Sequence, residues 1–302
     1  MFCQPAIRSL TMLAPAKLNL FLRVLRRRPD GFHELETVMT AIDLYDTLVF
    51  ETSDSKELSL RVVMSASRNS HSVPTEAIPG GPENLVLRAA ELLRHYAGKD
   101  LGAQITLAKR IPSAAGMGGG SSDAAATLAG LNRLWNLSLS QAQLIELAAR
   151  LGSDIGFFLG GSSAAICRGR GELIEPLQIP TRLYFVVARP ATGLSTPSVF
   201  KCCHPSDFGP AADDFVQAMK QPGLDRLVRL LHNDLQGPAE SLNNEVRQLR
   251  QRFEKLPLIG HQMSGSGTSY FGVCHSSRQA RIVAARLRAA GVPWVQIASS
   301  CS

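Results

Sequence analysis

Residues 112–125 read PSAAGMGGGSSDAA, with Pro112, Gly116, Gly118, Gly119, Gly120, Ser121 and Ser122 and no lysine. The strand-like AQITLAKRI precedes this stretch. A segment with helical spacing of Ala124, Leu128, Leu131 and Trp135 follows it. A strand, a glycine-rich loop and a helix start make an anion-binding arrangement, because the first N–H groups of a helix lack internal partners and point outward. Glycines let the backbone approach a phosphate and adopt positive φ. The serines add hydroxyl donors, or an oxygen for Mg²⁺. Two familiar phosphate motifs are excluded: no lysine follows the glycines, and the G-x-G-x-x-G spacing is absent. Periodic elements crowd both sides, which excludes a linker. From the residues alone the stretch is either a phosphate cradle or a structural turn.

Other chemistry-bearing residues lie on elements that can position them. KLNLFLRV alternates strictly, which predicts a half-buried strand with Lys17 and Asn19 on one face. Asp154 stands in GSDIGFF, between a helix end and an apolar run, where it can cap the next helix. Asn84 can cap a helix running to about Ala97, with Gly98 past its end. Phe32 and His33 follow RRRPDG, a turn signature that reads as a solvated hairpin tip.

Further strands are expected at 33–42, 46–52, 57–63, 103–109, 183–188, 269–274 and 293–298. Ser140 and Gln143 form a capping-box pattern ahead of a helix that Gly152 ends. Helices are expected near 211–220, 223–232, 241–255 and 277–290. Residues 64–82 are polar and rich in Ser, Pro and Gly, and read as a loop insertion. Nothing before Met12 is periodic, so residues 1–11 are expected to be dispensable, with Met12 a second candidate start. The fold class is α/β (α+β). Two closely packed domains are expected, 1–170 with the glycine-rich loop and 171–302.

The chain has 302 residues, 45% hydrophobic and 19% charged, with a formal net charge of +7. Such a balance suits a soluble globular protein with an anionic partner. No basic stripe with interleaved aromatics occurs, so no nucleic-acid partner is expected. No apolar run approaches the roughly 18 residues of a membrane helix. Cys3, Cys167, Cys202, Cys203, Cys274 and Cys301 form no C-x-x-C pair, and read as free thiols in a reducing, cytoplasmic compartment.

The glycine stretch resembles the second motif of the GHMP kinase superfamily. PAKLNLFLRV (Pro15–Val24) resembles its first motif and MSGSGTSYFG (Met263–Gly272) its third. The resemblance covers about residues 12–298. With RPDGFHELETV and LGSDIGFFL, the spellings are similar to the branch that acts on a diphosphocytidyl methylerythritol. A homoserine or mevalonate kinase is the alternative, but those lack DGFHEL. The resemblance implies a two-domain fold with the active site in the inter-domain cleft, and ATP-dependent transfer to a 2-hydroxyl in non-mevalonate isoprenoid biosynthesis. It implies ATP and Mg²⁺ as cofactors and a monomer or weak homodimer.

The resemblance also implies roles. Lys17 and Asp154 are the catalytic pair. Asn84, Lys109, Pro112, Gly116, Gly118, Gly119, Gly120, Ser121 and Ser122 hold the nucleotide, with Ser122 a metal oxygen. Asn19, Phe32, His33, Asp154, Thr196, Phe200, Gly265, Ser266 and Gly267 contact substrate. Phe32 and Phe200 would take the two faces of cytosine and His33 its edge. Phe32 departs from the family's usual tyrosine and loses the phenol hydroxyl.

Overall fold

The computed structural model describes residues 8–64, 78–205, 209–221 and 223–301. Two long strands, β1 (Ser9–Arg27) and β2 (His33–Ser53), pair antiparallel along almost their whole length. The turn between them closes with Arg28 N–H donating to the Phe32 carbonyl at 2.8 Å, and Gly31 sits at φ +87°. This is the expected hairpin tip. The strands expected at 33–42 and 46–52 are one continuous strand.

Part of the segment expected to be dispensable is paired into the sheet. Ser9, Leu10 and Thr11 pair with Glu51, Phe50 and Val49. Residues 1–7 lie outside the described residues, as does most of the expected insertion, 65–77.

β3 (Leu58–Met64), α1 (Leu85–Ala97) and β4 (Gly102–Lys109) form a βαβ unit whose strands are parallel neighbours. α2 (Gly119–Leu134) and α3 (Gln141–Ala149) join α1 in a layer over this end of the sheet. The capping box of α3 is present, with Ser140 and Gln143 bonding reciprocally. A Cβ at Gly130 would come within 2.7 Å of the Phe50 ring, so the missing side chain lets α2 lie close on the sheet.

After α4 (Ile155–Leu159), β5 (Ala164–Gly169) pairs with β2, and β6 (Leu173–Leu177) pairs with β5. These elements, of five or six residues each, carry little periodic signal. The chain leaves the first sheet between Leu177 and Tyr184, a few residues beyond the expected 170/171 boundary.

The second sheet has the order β11 (Trp294–Ser299), β7 (Tyr184–Arg189), β10 (Tyr270–Cys274), β9 (Gly260–Met263). α5 (Thr196–Lys201), α6 (Ala212–Met219) and α7 (Asp225–Arg229) follow β7. The helix expected at 241–255 is two, α8 (Gln236–Leu242) and α9 (Asn244–Glu254). Asn243 leaves helical geometry at φ −140° and caps Glu245 N–H. α10 (Ser277–Ala289) precedes β11.

The halves interlock. β8 (His232–Asn233) from the second half pairs in parallel with β1 at Phe21 and Leu22. One core cluster joins Leu18, Leu20, Phe21 and Ile42 to Phe185, Phe215 and Phe271. β1 is therefore covered on both faces, and the expectation of a half-buried strand is corrected: Lys17, Asn19 and Phe21 are all buried.

Candidate active site

β1 carries Lys17 and Asn19 to the junction of the two halves. The register slips between Asn19 and Phe21, leaving Leu20 without a cross-strand partner. Gln262 repairs the irregularity, its amide donating to the Asn19 carbonyl at 2.8 Å and the Leu20 carbonyl at 3.0 Å. A buried carbonyl without a donor costs about 1–3 kcal/mol, so the bulge depends on this residue from the other half. The Lys17 ammonium donates to Asn19 Oδ1. The Asn19 amide nitrogen donates to Thr37 Oγ1 at 2.8 Å, and Thr37 donates to the Phe21 carbonyl at 2.6 Å. This chain of bonds orients the Asn19 amide.

The glycine loop lies directly over this strand. Lys17 N–H donates to the Met117 carbonyl at 3.0 Å. Gly118 starts α2 in the left-handed region at φ +67°, and its missing side chain leaves room for Lys17 Cγ and the Phe158 ring. Gly116, at φ +72°, faces the third glycine stretch. A Cβ there would stand 2.1 Å from the Ser264 carbonyl oxygen. Ser264 Oγ donates to the Gly116 carbonyl at 3.0 Å and accepts from Asn19 N–H at 3.1 Å. One serine thus ties the three glycine- and lysine-bearing segments together.

Asp154 completes the arrangement. It stands at the start of α4 but makes no side-chain cap, so the helix-cap reading does not describe it. Its Oδ2 lies 3.5 Å from Lys17 Nζ, and its side chain is 39% exposed against 4% for Lys17. The lysine is fixed, while the carboxylate opens onto a cavity of about 1090 Å³.

Lys17, Asn19, Pro112, Gly116, Gly118, Gly119, Gly120, Ser121 and Asp154 line that cavity. So do Phe32, His33, Thr196, Phe200, Gly265 and Ser266 from the expected substrate set. Thr196 Oγ1 and Ser266 Oγ lie 2.8 Å apart, joining the α5 start to the third motif. Arg27, Arg170 and Lys201 also line the cavity, so it is rich in cations. Asp154 is the one carboxylate among its described lining residues.

The GHMP kinases N terminal domain model matches residues 84–167, and the GHMP kinases C terminal model matches residues 215–293. A 4-diphosphocytidyl-2-C-methyl-D-erythritol kinase of Pelotomaculum thermopropionicum is 42% identical over 281 residues, 92% of this chain and 94% of the relative. A solved 4-(cytidine 5'-diphospho)-2C-methyl-D-erythritol kinase superposes with a TM-score of 0.78 at 37% identity, covering 97% of this chain and 100% of the other. The chain belongs to the 4-diphosphocytidyl-2-C-methyl-D-erythritol kinase family of GHMP kinases. A homoserine kinase of Cytophaga hutchinsonii superposes with a TM-score of 0.74 over 100% of this chain and 97% of that one, but at 17% identity it shares the fold alone.

A GHMP kinase uses ATP, and the matched N-terminal model spans the glycine loop and Asp154. Lys17 and Asn19 lie outside both matched segments. Mg²⁺ in kinases is held by substrate phosphates with one or two carboxylates, and keeps several waters. Asp154, with Ser121 lining the same cavity, fits an ion carried in on phosphates. Among the described residues no cluster of three or more His, Cys, Asp or Glu could cage one.

Four expected residues stand off the cavity wall of this kinase. Lys109 points beneath the loop, where its ammonium pairs with Asp46 and with Asp123. Burial disfavours its charge, but the two carboxylates more than compensate and raise its pKa. Ser122 is buried, and its Oγ has no hydrogen-bond partner. Asn84 is the α1 cap, accepting from Val86 N–H at 2.9 Å and donating to the Pro79 carbonyl at 2.7 Å. Leu85 takes the wall position. Gly267 shapes the third turn at φ +91°, against Met263.

At the far end His33 stacks on Phe200, with ring centroids 5.1 Å apart and 29° between planes. The imidazole therefore occupies a Phe200 face. The Arg170 guanidinium lies over the Phe32 ring at 4.7 Å. Burial, and then the nearby Arg27 charge, lower the His33 pKa and favour the neutral ring.

Sequence reasoning missed Thr37, Ser264, Gln262, Asp46, Asp123 and Arg170. Asp123 and Ser264 stood inside the glycine motifs and could have been found there. Asp46, Gln262 and Thr37 carry no local signal, since their roles come from other segments folding against them.

Among the described residues no helix is long and apolar enough to cross a membrane. The described cysteines are all free.

Proposed function

We propose that the chain transfers the γ-phosphoryl group of ATP to the 2-hydroxyl of 4-diphosphocytidyl-2-C-methyl-D-erythritol. The observation that carries the reading is the Lys17–Asp154 pair, 3.5 Å apart, facing the glycine loop across one cavity. The similarity to named relatives over most of the chain supports the substrate.

Phosphoryl transfer depends chiefly on positioning and on stabilising charge spread over the moving oxygens. In this reading the loop of Gly116, Gly118, Gly120 and Ser121 holds the phosphates with backbone N–H groups and a hydroxyl. Lys17, clamped by Asn19 and Asp154, offsets charge on the group in flight. Asp154 orients the acceptor hydroxyl and takes its proton late. Mg²⁺ supplies further charge neutralisation when it arrives with the nucleotide. The base enters beside Phe32 and the His33–Phe200 stack, where one ring nitrogen of the neutral imidazole serves its edge as donor or acceptor.

The test is ATP consumption with three acceptors: diphosphocytidyl methylerythritol, homoserine and mevalonate. Turnover is expected with the first alone. Turnover of either other acceptor at comparable kcat/KM overturns the reading.

A further inference from the structure

We infer that Arg170 binds the diphosphate of the nucleotide-sugar substrate and so reads the length and charge of its linker. The inference rests on the substrate reading above.

Arg170 and Gly171 form the turn between β5 and β6, closed by Gly171 N–H donating to the Arg168 carbonyl at 3.0 Å. One end of this turn reaches the base pocket, with the Arg170 guanidinium 4.7 Å from the Phe32 ring centroid. The other end reaches the acceptor site. A Cβ at Gly171 would stand 3.9 Å from Asp154 Oδ1. A substrate with its base at Phe32 and its reacting hydroxyl at Asp154 must carry its diphosphate across Arg170.

The charge of this turn is only partly compensated. Arg28 pairs with Asp30 and Glu34, and Arg168 pairs with Glu36. Glu172 accepts from the Arg170 backbone N–H at 2.5 Å, while its other oxygen lies 3.9 Å from Arg170 Nε. Asp30, Glu34 and Glu36 are thus engaged elsewhere, Glu172 meets the Arg170 guanidinium at long range, and Arg27 adds a second cation to the same end of the cavity. The Arg170 guanidinium, 4.7 Å over the Phe32 ring centroid, meets Glu172 through Nε and leaves its two terminal nitrogens to a ligand. Their planar edge matches two phosphate oxygens.

Steady-state kinetics of Arg170→Gln and Arg170→Lys test this, with the diphosphate substrate and an analogue carrying a monophosphate linker. Arg170→Gln should raise KM for the diphosphate substrate roughly tenfold to a hundredfold, the range of a lost charge-assisted hydrogen bond. KM for ATP should stay within about threefold. The loss should shrink with the monophosphate linker, and Arg170→Lys should recover part of it. Unchanged KM in Arg170→Gln overturns the inference. So does an equal loss on both linkers with no recovery by lysine, which would mean that Arg170 only packs Phe32. If Arg170→Gln does not fold, Arg170→Lys on the two linkers decides alone: equal KM changes on both overturn the inference. Wild-type enzyme that ignores the diphosphate substrate overturns the substrate reading itself, and this inference with it.

Discussion

Asp123 Oδ2 lies 2.8 Å from Lys109 Nζ, beneath the first turn of α2. The same ammonium pairs with Asp46, whose other oxygen accepts from Arg110 N–H at 2.6 Å and Ile111 N–H at 2.9 Å. One lysine thus joins the helix that follows the glycine loop to the strand that precedes it.

Lys109→Met should cost about 3–5 kcal/mol, the usual effect of leaving buried carboxylates uncompensated. Two acids would lose their counter-ion. Urea denaturation checks this. If stability holds while KM for ATP rises sharply, Lys109 touches the nucleotide after all.

The same triad predicts a pH effect. Burial pushes the Asp123 carboxyl up to about 7 against the pull of Lys109, and the Asp46 charge adds to the rise. A carboxyl raised on folding binds more protons in the native state than in the unfolded one. Its contribution to stability is full below the unfolded value of roughly 4 and is lost as pH rises through about 7. Asp123→Asn should therefore flatten the fall in stability between those limits. Parallel wild-type and variant profiles would show that Asp123 does not titrate there.

Asp154→Asn should lower kcat by roughly 10²–10⁴, with little change in ATP affinity. The amide keeps the shape but takes no proton. A kcat within about threefold of wild type, under 1 kcal/mol, would leave Asp154 as a counter-ion to Lys17 only.

Adjacent glycines should separate stability from binding. A Cβ at Gly119 points inward, 2.9 Å from Ile111 Cγ2 and 3.2 Å from Lys109 Nζ. Gly119→Val should destabilise the fold. At Gly120 the nearest atom is Leu85 Cδ1 at 3.5 Å, on the cavity wall. Gly120→Val should keep stability and raise KM for ATP, since the added atoms take nucleotide space. Thermal midpoints with ATP kinetics check the split. The reverse pattern would place the nucleotide elsewhere.

Removing residues through Thr11 should lower the thermal midpoint. The cut strips Ser9, Leu10 and Thr11 from their pairing with β2, and Leu10 packs on the core. A shortened chain as stable as the full one would show that these rungs contribute nothing.

Local pattern determined the elements that hold the phosphate loop. The capping box at Ser140, the Asn84 cap and the apolar spacing of α2 depend on bonds within a few residues, and they stand where expected. The resemblance of three short motifs and of LGSDIGFFL singled out Lys17, Asp154 and the loop glycines, which line one cavity. Tertiary structure alone decided the rest. Strict alternation predicts one wet face for β1, yet the second half of the chain covers that face, and a distant Gln262 satisfies the bulge. Lys109 and Ser122 share the loop's neighbourhood in sequence but turn beneath it, because a helix start has an inner and an outer side. The same geometry turns an added Cβ at Gly120 toward the cavity wall and one at Gly119 toward the core. Phe200 and His33 stack across 167 positions, a contact set by how α5 docks against the β1–β2 turn. Short-range bonding is written in neighbouring residues. Which face of an element is buried, and what reaches across to complete it, depends on partners the local sequence does not contain.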